Sequence, residues 1–424
     1  MKAVFTIVAQ NYYAQASTLY ESIQKTNPGL DVYVFIAGKA DKLDVNQSGA
    51  RIVEISSLGI ADLTDMAFKY DVTEFCTSVK PHCFIHLFET LGYEEVIYFD
   101  PDIFVYHDLA VIYRMLDSAD IVVTPHILFP ELEYTGSVPE GLLLFVGIFN
   151  LGFVAMKRSA VSASALQWWK VRLERLCFAD KVDGLHVDQK WIDFLPVFCG
   201  SRLMISTHLG MNVSFWNLHE RELKKEGGRF LVQRRNGSGE TDPLVFYHFA
   251  KFDPLNAKII HKDYKKVERA TYSEYDDILA EYGKALLAHG HQEFVKIPYT
   301  YNFFDNGTPI VKFHRRLYRR LTETGVRFPD PFASGEGSFY RELDGNRLID
   351  RSGARIDAAS ERDFAGFDKK IRILNRFFIA LRTIIGAKNY FLLMKLFLRY
   401  CRPENQTFLI ARYRDAYVFK NENQ

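Results

Sequence analysis

Along the first hundred residues, apolar runs of strand length alternate with stretches of helical period. Residues 3–8, 31–36, 51–55 and 95–99 read as strands, with helical segments between them. Such alternation builds a parallel, doubly wound α/β sheet. The helix after the first strand carries Ala16, Leu19, Tyr20 and Ile23 at i, i+3, i+4 and i+7, one apolar face to lay on the sheet, and Asn27-Pro28-Gly29 ends it. A second helix over about 78–90 aligns Phe84, Leu87, Phe88 and Leu91, and Gly92 then turns the chain into Val96-Ile97-Tyr98-Phe99. That strand delivers Asp100 to its C-terminal end, where open α/β sheets bind ligands. Farther on, 145–156 reads as buried strand. Ser159 caps a helix with Leu166, Trp169, Leu173 and Leu176 inward, and 186–195 reads as a short helix stopped by Pro196.

The alternation closes near His248 to Pro254, which divides the chain into residues 1–255 and a mainly helical extension over 256–424. The extension opens with an acidic, aromatic helical stretch at 272–288 and passes through 297–355 without a clear period. It ends in a basic helical segment. Between Asp368 and Arg402 there are nine Lys or Arg and one acidic residue, interleaved with Ile371, Leu374, Phe378, Leu381 and Ile385. That mixture suits an anionic membrane surface, or else a packed amphipathic helix with a solvated basic side.

Composition narrows the class. With 424 residues, 48% apolar and 25% charged, the chain can bury a large core, and a formal charge of +1 leaves no overall field to draw it to nucleic acid. Five cysteines, 76, 83, 177, 199 and 401, are widely spaced with no CxxC pair, which points to a reducing, cytoplasmic setting. The apolar run at the N-terminus meets Gln10-Asn11 too early for a signal-peptide core, so export is not expected. The longest apolar stretch, 142–156, is too short to span a bilayer and is interrupted by glycines and Asn150.

Candidate chemistry sits at Asp100-Pro101-Asp102. Side chains at i and i+2 point the same way in extended backbone, so the two carboxylates could share a Mg²⁺ or Mn²⁺ and, through it, a diphosphate. A solvated Asp102 beside an Asp100 that caps a turn would look the same in sequence.

The motifs around this pair resemble the GT-A-fold glycosyltransferases, particularly family 8 and related bacterial enzymes of surface-polysaccharide synthesis. Ala9-Gln10-Asn11-Tyr12 with Ser22 matches the family's first loop and helix, and VIYFDPDIFVY matches its strand ending in Tyr-x-Asp-x-Asp. Asn150-Leu151-Gly152 matches an Asn-x-Gly that opens a buried strand, Asp188-Gln189 an Asp-Gln on a helix, Asn212 a later loop Asn, and His248 a late metal ligand. The resemblance spans roughly residues 1–255. It departs in two respects: Ala9 and Gln10 stand where an acidic residue often touches the base, and Lys80 stands where Arg commonly approaches the diphosphate.

The resemblance implies a GT-A domain, Rossmann-like with a mostly parallel sheet, that moves a sugar from a nucleoside-diphosphate sugar, a UDP-sugar by family habit, to a glycan or lipid-linked acceptor hydroxyl. It implies Mn²⁺ or Mg²⁺ on Asp100, Asp102 and His248. The donor would meet Ala9, Asn11, Tyr12, Lys80, Asp100, Asn150, Gly152 and Asn212, with Asp188 or Gln189 near the reacting carbon and retention of configuration. Two other readings fit the Asp-x-Asp: an inactive sugar- or nucleotide-binding scaffold of this fold, and an aspartate-nucleophile phosphatase, whose motif usually follows the first strand.

Overall fold

In the computed structural model, described for residues 1–43, 49–237, 239, 241–256, 260–261, 269–351, 357 and 365–414, the apolar runs of the first hundred residues become strands. These are β1 (Lys2–Val8), β2 (Asp31–Ile36), β3 (Arg51–Glu54) and β4 (Glu95–Phe99). β5 (Ile103–Val105), β6 (Ile121–Pro125) and β7 (Phe149–Lys157) follow. A seven-stranded sheet runs Leu203–Ile205, β6, β7, β4, β1, β2, β3. Every neighbouring pair is parallel except those of β7, which is antiparallel to β4 and β6. The fold is therefore α/β with a mostly parallel central sheet, flanking helices and a helical C-terminal region.

The chain departs from β1 to β2 and β3 on one side and returns to place β4 on the other. Strand order thus reverses between β1 and β4, the kind of switch point at which open α/β sheets bind ligands. α1 (Tyr13–Thr26) lays Ala16, Leu19 and Ile23 into a core shared with Val4, Val34, Ile97, Phe99 and Phe153. The Ser22 hydroxyl, buried on α1, accepts from Val105 N at 3.1 Å and so fixes β5 against the helix.

Three local expectations are corrected. Phe145 and Val146 belong to a helix, Glu140–Val146, and Gly147 (φ 112°) then turns the chain into β7. Residues 189–194 form a 3-10 turn, and Pro196 opens the next helix, Leu195–Cys199. A proline in a first turn loses no helical hydrogen bond, so it starts that helix and does not stop one. Residues 297–355 contain helices Lys312–Glu323 and Phe339–Gly345. The Ser159 cap is present, its hydroxyl accepting from Ser162 N at 3.1 Å.

Contacts divide the chain into two units: Met1–Leu63 with Val72–Thr300, and Thr64–Asp71 with Tyr301–Gln424. The second unit has its own core around Phe68, Phe304, Leu317, Tyr318, Phe339 and Leu343. Within it, Arg315 is buried and donates to the carbonyls of Ala67, Phe68 and Tyr70 at 3.1, 2.6 and 2.8 Å. Those carbonyls lie at and just beyond the C-terminal end of helix Leu63–Lys69, where a cation is favoured.

Candidate functional site

Asp100 leaves β4 with its N–H donating to the Gly152 carbonyl of β7 at 2.7 Å, and its own carbonyl accepts from Ile103 N at 3.1 Å. That second bond closes a turn over Pro101 and Asp102. The carboxylates converge because the chain turns there, with proline pre-setting φ, and not because extended backbone repeats every two residues. β5 begins at once and pairs antiparallel with the strand Phe246–His248, which sets His248 opposite Ile103. His248 Nε2 stands 3.0 Å from Asp102 Oδ1 and 3.8 Å from Asp100 Oδ2. One ligand atom from each of the three lies within 4.8 Å of the others.

The electrostatics are those of a cation site. Burial alone would lower the His248 imidazole, but Asp102, through charge and hydrogen bond, and then Asp100 outweigh it and hold the ring's pKa above its ordinary value. Loss of solvent raises the Asp100 carboxyl although Lys80 and His248 pull it down, and Asp102 adds to the rise. Tyr98 donates its hydroxyl to Asp100 Oδ1 at 2.5 Å and so fixes one carboxylate oxygen. Two carboxylates and one imidazole nitrogen, partly open to solvent, form a donor set that fits Mn²⁺ or Mg²⁺.

The histidine is seated from behind. A Cβ on Gly152 would come within 2.4 Å of His248 Cε1 and 2.6 Å of Nδ1, so the ring needs a glycine at that point. Trp216 meets it edge to face, 5.2 Å between centroids at 89°. The same indole meets His126 at 5.5 Å. Asn150 Oδ1 accepts from Gly152 N and Asn212 Nδ2, both at 3.1 Å, and its Nδ2 approaches His126 Nε2 at 3.3 Å. Asn212, at φ 55°, also donates to Thr124 Oγ1 at 2.8 Å. Burial takes His126 down to about 4, so that ring is neutral at pH 7.

Lys80 is 1% exposed. Its ammonium donates to Asp188 Oδ2 at 2.5 Å and to the Leu151 carbonyl at 2.9 Å, and it lies 4.0 Å over the Tyr98 ring. Asp188 stands at the cap position of the 189–194 turn but makes no side-chain cap bond; its carboxylate is spent on Lys80. Burial raises the Asp188 carboxyl and Lys80 opposes that rise. Gln189 accepts from Leu151 N at 3.0 Å and donates to the Val146 carbonyl at 2.9 Å, so its amide ties β7 to the end of the preceding helix. Trp169 Nε1 donates to the Asp188 carbonyl at 3.2 Å.

On the β1 side, the buried Ala9 presents backbone, its carbonyl accepting from Tyr12 N at 2.9 Å. Gln10 reaches away, donating to Asp41 and accepting from Lys42 N, both at 2.9 Å. Asn11 Oδ1 is buried without a partner among the described residues. Tyr12 is 41% exposed, yet loss of solvent around the phenol and the charge of Asp102 both raise its pKa. The structure thus gathers Asp100, Asp102, His248, Gly152, Asn150 and Asn212 into one contact set and joins Lys80 to Asp188 beside it. Ala9 and Asn11 follow the end of β1. Tyr98, Trp216 and His126 complete the set; Tyr98 lies in the strand motif that the sequence shows, whereas His126 is a lone histidine after an apolar strand.

No protein-family profile matches the chain. A curated protein of Bacillus subtilis (strain 168), the uncharacterized protein YfnF, is 25% identical over 260 residues, 59% of this chain and 81% of that protein. Among solved structures, the galactosyltransferase LgtC bound to donor and acceptor sugar analogs aligns at TM-score 0.38 and 15% identity, over 67% of this chain and 96% of LgtC. The apo glycosyltransferase GlyE of Streptococcus pneumoniae aligns at 0.38 and 14%, over 75% of this chain and 72% of GlyE. Mouse xyloside xylosyltransferase 1 aligns at 0.35 and 12%, over 58% and 97%. At such scores these likenesses decide neither activity nor substrate.

Proposed function

We propose that this protein is a retaining glycosyltransferase of the GT-A kind, which moves a sugar from a nucleoside-diphosphate sugar, a UDP-sugar first among them, to the hydroxyl of a glycan or lipid-linked acceptor. The observation that carries the reading is the convergence of Asp100, Asp102 and His248 at the carboxyl edge of the sheet, beside its switch point. Mn²⁺ or Mg²⁺ held by these three would supply positive charge against the diphosphate as it departs.

The remaining roles belong to the chain's own groups. Asn11 and Tyr12 flank the nucleotide, and the backbone of Ala9 lines it. Asn150, Gly152 and Asn212 form the floor that seats His248 and the donor sugar. Asp188 or Gln189 faces the reacting carbon. Lys80 serves the donor by holding Asp188 and Leu151 in place, since its ammonium already has three partners. Residues 1–255 would be the catalytic domain, working in the cytoplasm at the inner face of a membrane in surface-polysaccharide assembly.

A panel of nucleotide sugars with Mn²⁺ or Mg²⁺, read by thermal shift and by release of free nucleotide, tests this. A true donor at 100 times its dissociation constant stabilises the fold by about 2.7 kcal/mol. Absence of both stabilisation and nucleotide release across the panel defeats the proposal, and stabilisation without turnover identifies an inactive binding scaffold.

A further inference from the structure

The helix Phe367–Tyr400 has a composition and length that could cross a membrane, and none of its residues is buried. It is not one rod. Gly386 adopts φ 78°, ψ 161°, outside helical space, and the Phe378 and Tyr390 rings come to 6.3 Å, although an unbroken helix would hold those residues about 18 Å apart along its axis. The element is two helical limbs, 367–385 and 387–400, joined by a sharp bend.

Each limb exposes cations and large apolar side chains together. In the first, Lys369, Arg372 and Arg376 are exposed at i, i+3 and i+7, one stripe, with Ile373 and Ile384 along its edge and Phe377 and Leu374 farther round the helix. In the second, Lys388 and Lys395 are exposed at i and i+7, and Phe391, Leu392, Leu396 and Leu398 surround them. In an unbroken helix Lys369 and Lys388 would lie about 100° out of phase. The break at Gly386 lets each stripe keep its own orientation.

We propose that this bent helical element docks on one leaflet of an anionic bilayer, lying in the headgroup region with its exposed apolar side chains towards the acyl chains and its cations at the phosphates. Charge complementarity selects the occupant: exposed cations recur along both limbs while Asp368 is the one acidic residue, and a second copy of the element would bring like charges together. Spanning is disfavoured on three grounds. Arg382 and Lys388 would enter the hydrocarbon, and the non-helical turn at Gly386 would leave backbone groups unpaired there. The limbs, about 28 and 21 Å long, also fall short of the ~30 Å core. Docking stands independently of glycosyl transfer, because its test needs no donor or metal.

The full chain is sedimented with vesicles of phosphatidylcholine alone and of phosphatidylcholine with phosphatidylglycerol. The anionic vesicles bind it, high salt releases it, and a Lys369→Gln, Arg372→Gln, Arg376→Gln triple variant binds them at least about tenfold more weakly with unchanged circular dichroism. Ile384→Glu with Leu398→Glu weakens binding to the same vesicles. Equal retention on both vesicle types, retention that survives high salt and alkaline extraction, or concentration-dependent self-association relieved by Ile384→Glu without vesicle binding would each overturn the proposal, the last two in favour of a span and a second copy respectively.

Discussion

The imidazole of His248 rests on the bare Cα of Gly152, where an added Cβ would lie 2.4 Å from Cε1. Gly152 also fixes Asp100, whose N–H donates to its carbonyl at 2.7 Å. One residue of β7 therefore sets two of the three candidate ligands. Gly152→Ala should push the ring from the acidic pair and cut nucleotide-dependent Mn²⁺ affinity by about ten- to a hundredfold. Calorimetric metal titration checks this, and unchanged affinity would mean that His248 is no ligand.

Tyr98 should matter for metal and not for folding. Its hydroxyl holds Asp100 Oδ1 at 2.5 Å. Tyr98→Phe keeps the ring that Lys80 covers and removes only that bond, so Mn²⁺ affinity should fall about tenfold. Chemical denaturation should show a loss of only about 1 kcal/mol. A loss of several kcal/mol with metal affinity intact would assign Tyr98 to the core alone.

Lys80 and Asp188 form a buried pair, each side chain at most 3% exposed. Removing one partner leaves a buried charge, so Asp188→Asn or Lys80→Met should each cost about 3–5 kcal/mol of stability, whereas Lys80→Met with Asp188→Leu should recover most of it. Turnover of Asp188→Asn is interpretable only beside its denaturation curve. If the double variant is no more stable than either single one, the pair is not coupled as described.

Acidity should act on metal binding through His248. Its pKa is raised in the folded, metal-free chain. The protonated ring paired with Asp102 therefore stabilises that form below the unfolded imidazole value of about 6.5, a contribution lost as pH rises through the raised folded value. Metal needs the neutral ring, so affinity runs the other way and falls by up to about tenfold per unit as pH drops through that raised value. Mn²⁺ titrations between pH 5 and 8 that show constant affinity would contradict the ligand assignment.

What could be read in the sequence was local. β1, β2 and β4 were legible because fully buried parallel strands are continuous apolar runs, and α1 because its core face repeats at helical spacing. The helix Lys312–Glu323 escaped although Phe313, Leu317, Tyr318 and Leu321 recur at helical spacing, because Arg315, Arg316, Arg319 and Arg320 between them, which the fold buries, read as a solvated surface. The Lys80–Asp188 pair joins residues far apart in the chain, and nothing near either announces the other. Asp100 and Asp102 were found for a partly mistaken reason: the spacing suggested a shared side of a strand, and the turn at Pro101 brings them together.

The most direct measurement of the central claim is turnover of the Asp102→Asn variant with and without chelator, beside the parent chain. If Asp100, Asp102 and His248 hold a catalytic cation, chelation abolishes transfer by the parent and Mn²⁺ restores it. Asp102→Asn then loses at least about a hundredfold in turnover, worth ~2.7 kcal/mol of barrier, while its melting midpoint stays within a few degrees of the parent's. Full turnover of Asp102→Asn in the presence of chelator would contradict the metal-dependent mechanism and the glycosyltransferase reading built on it.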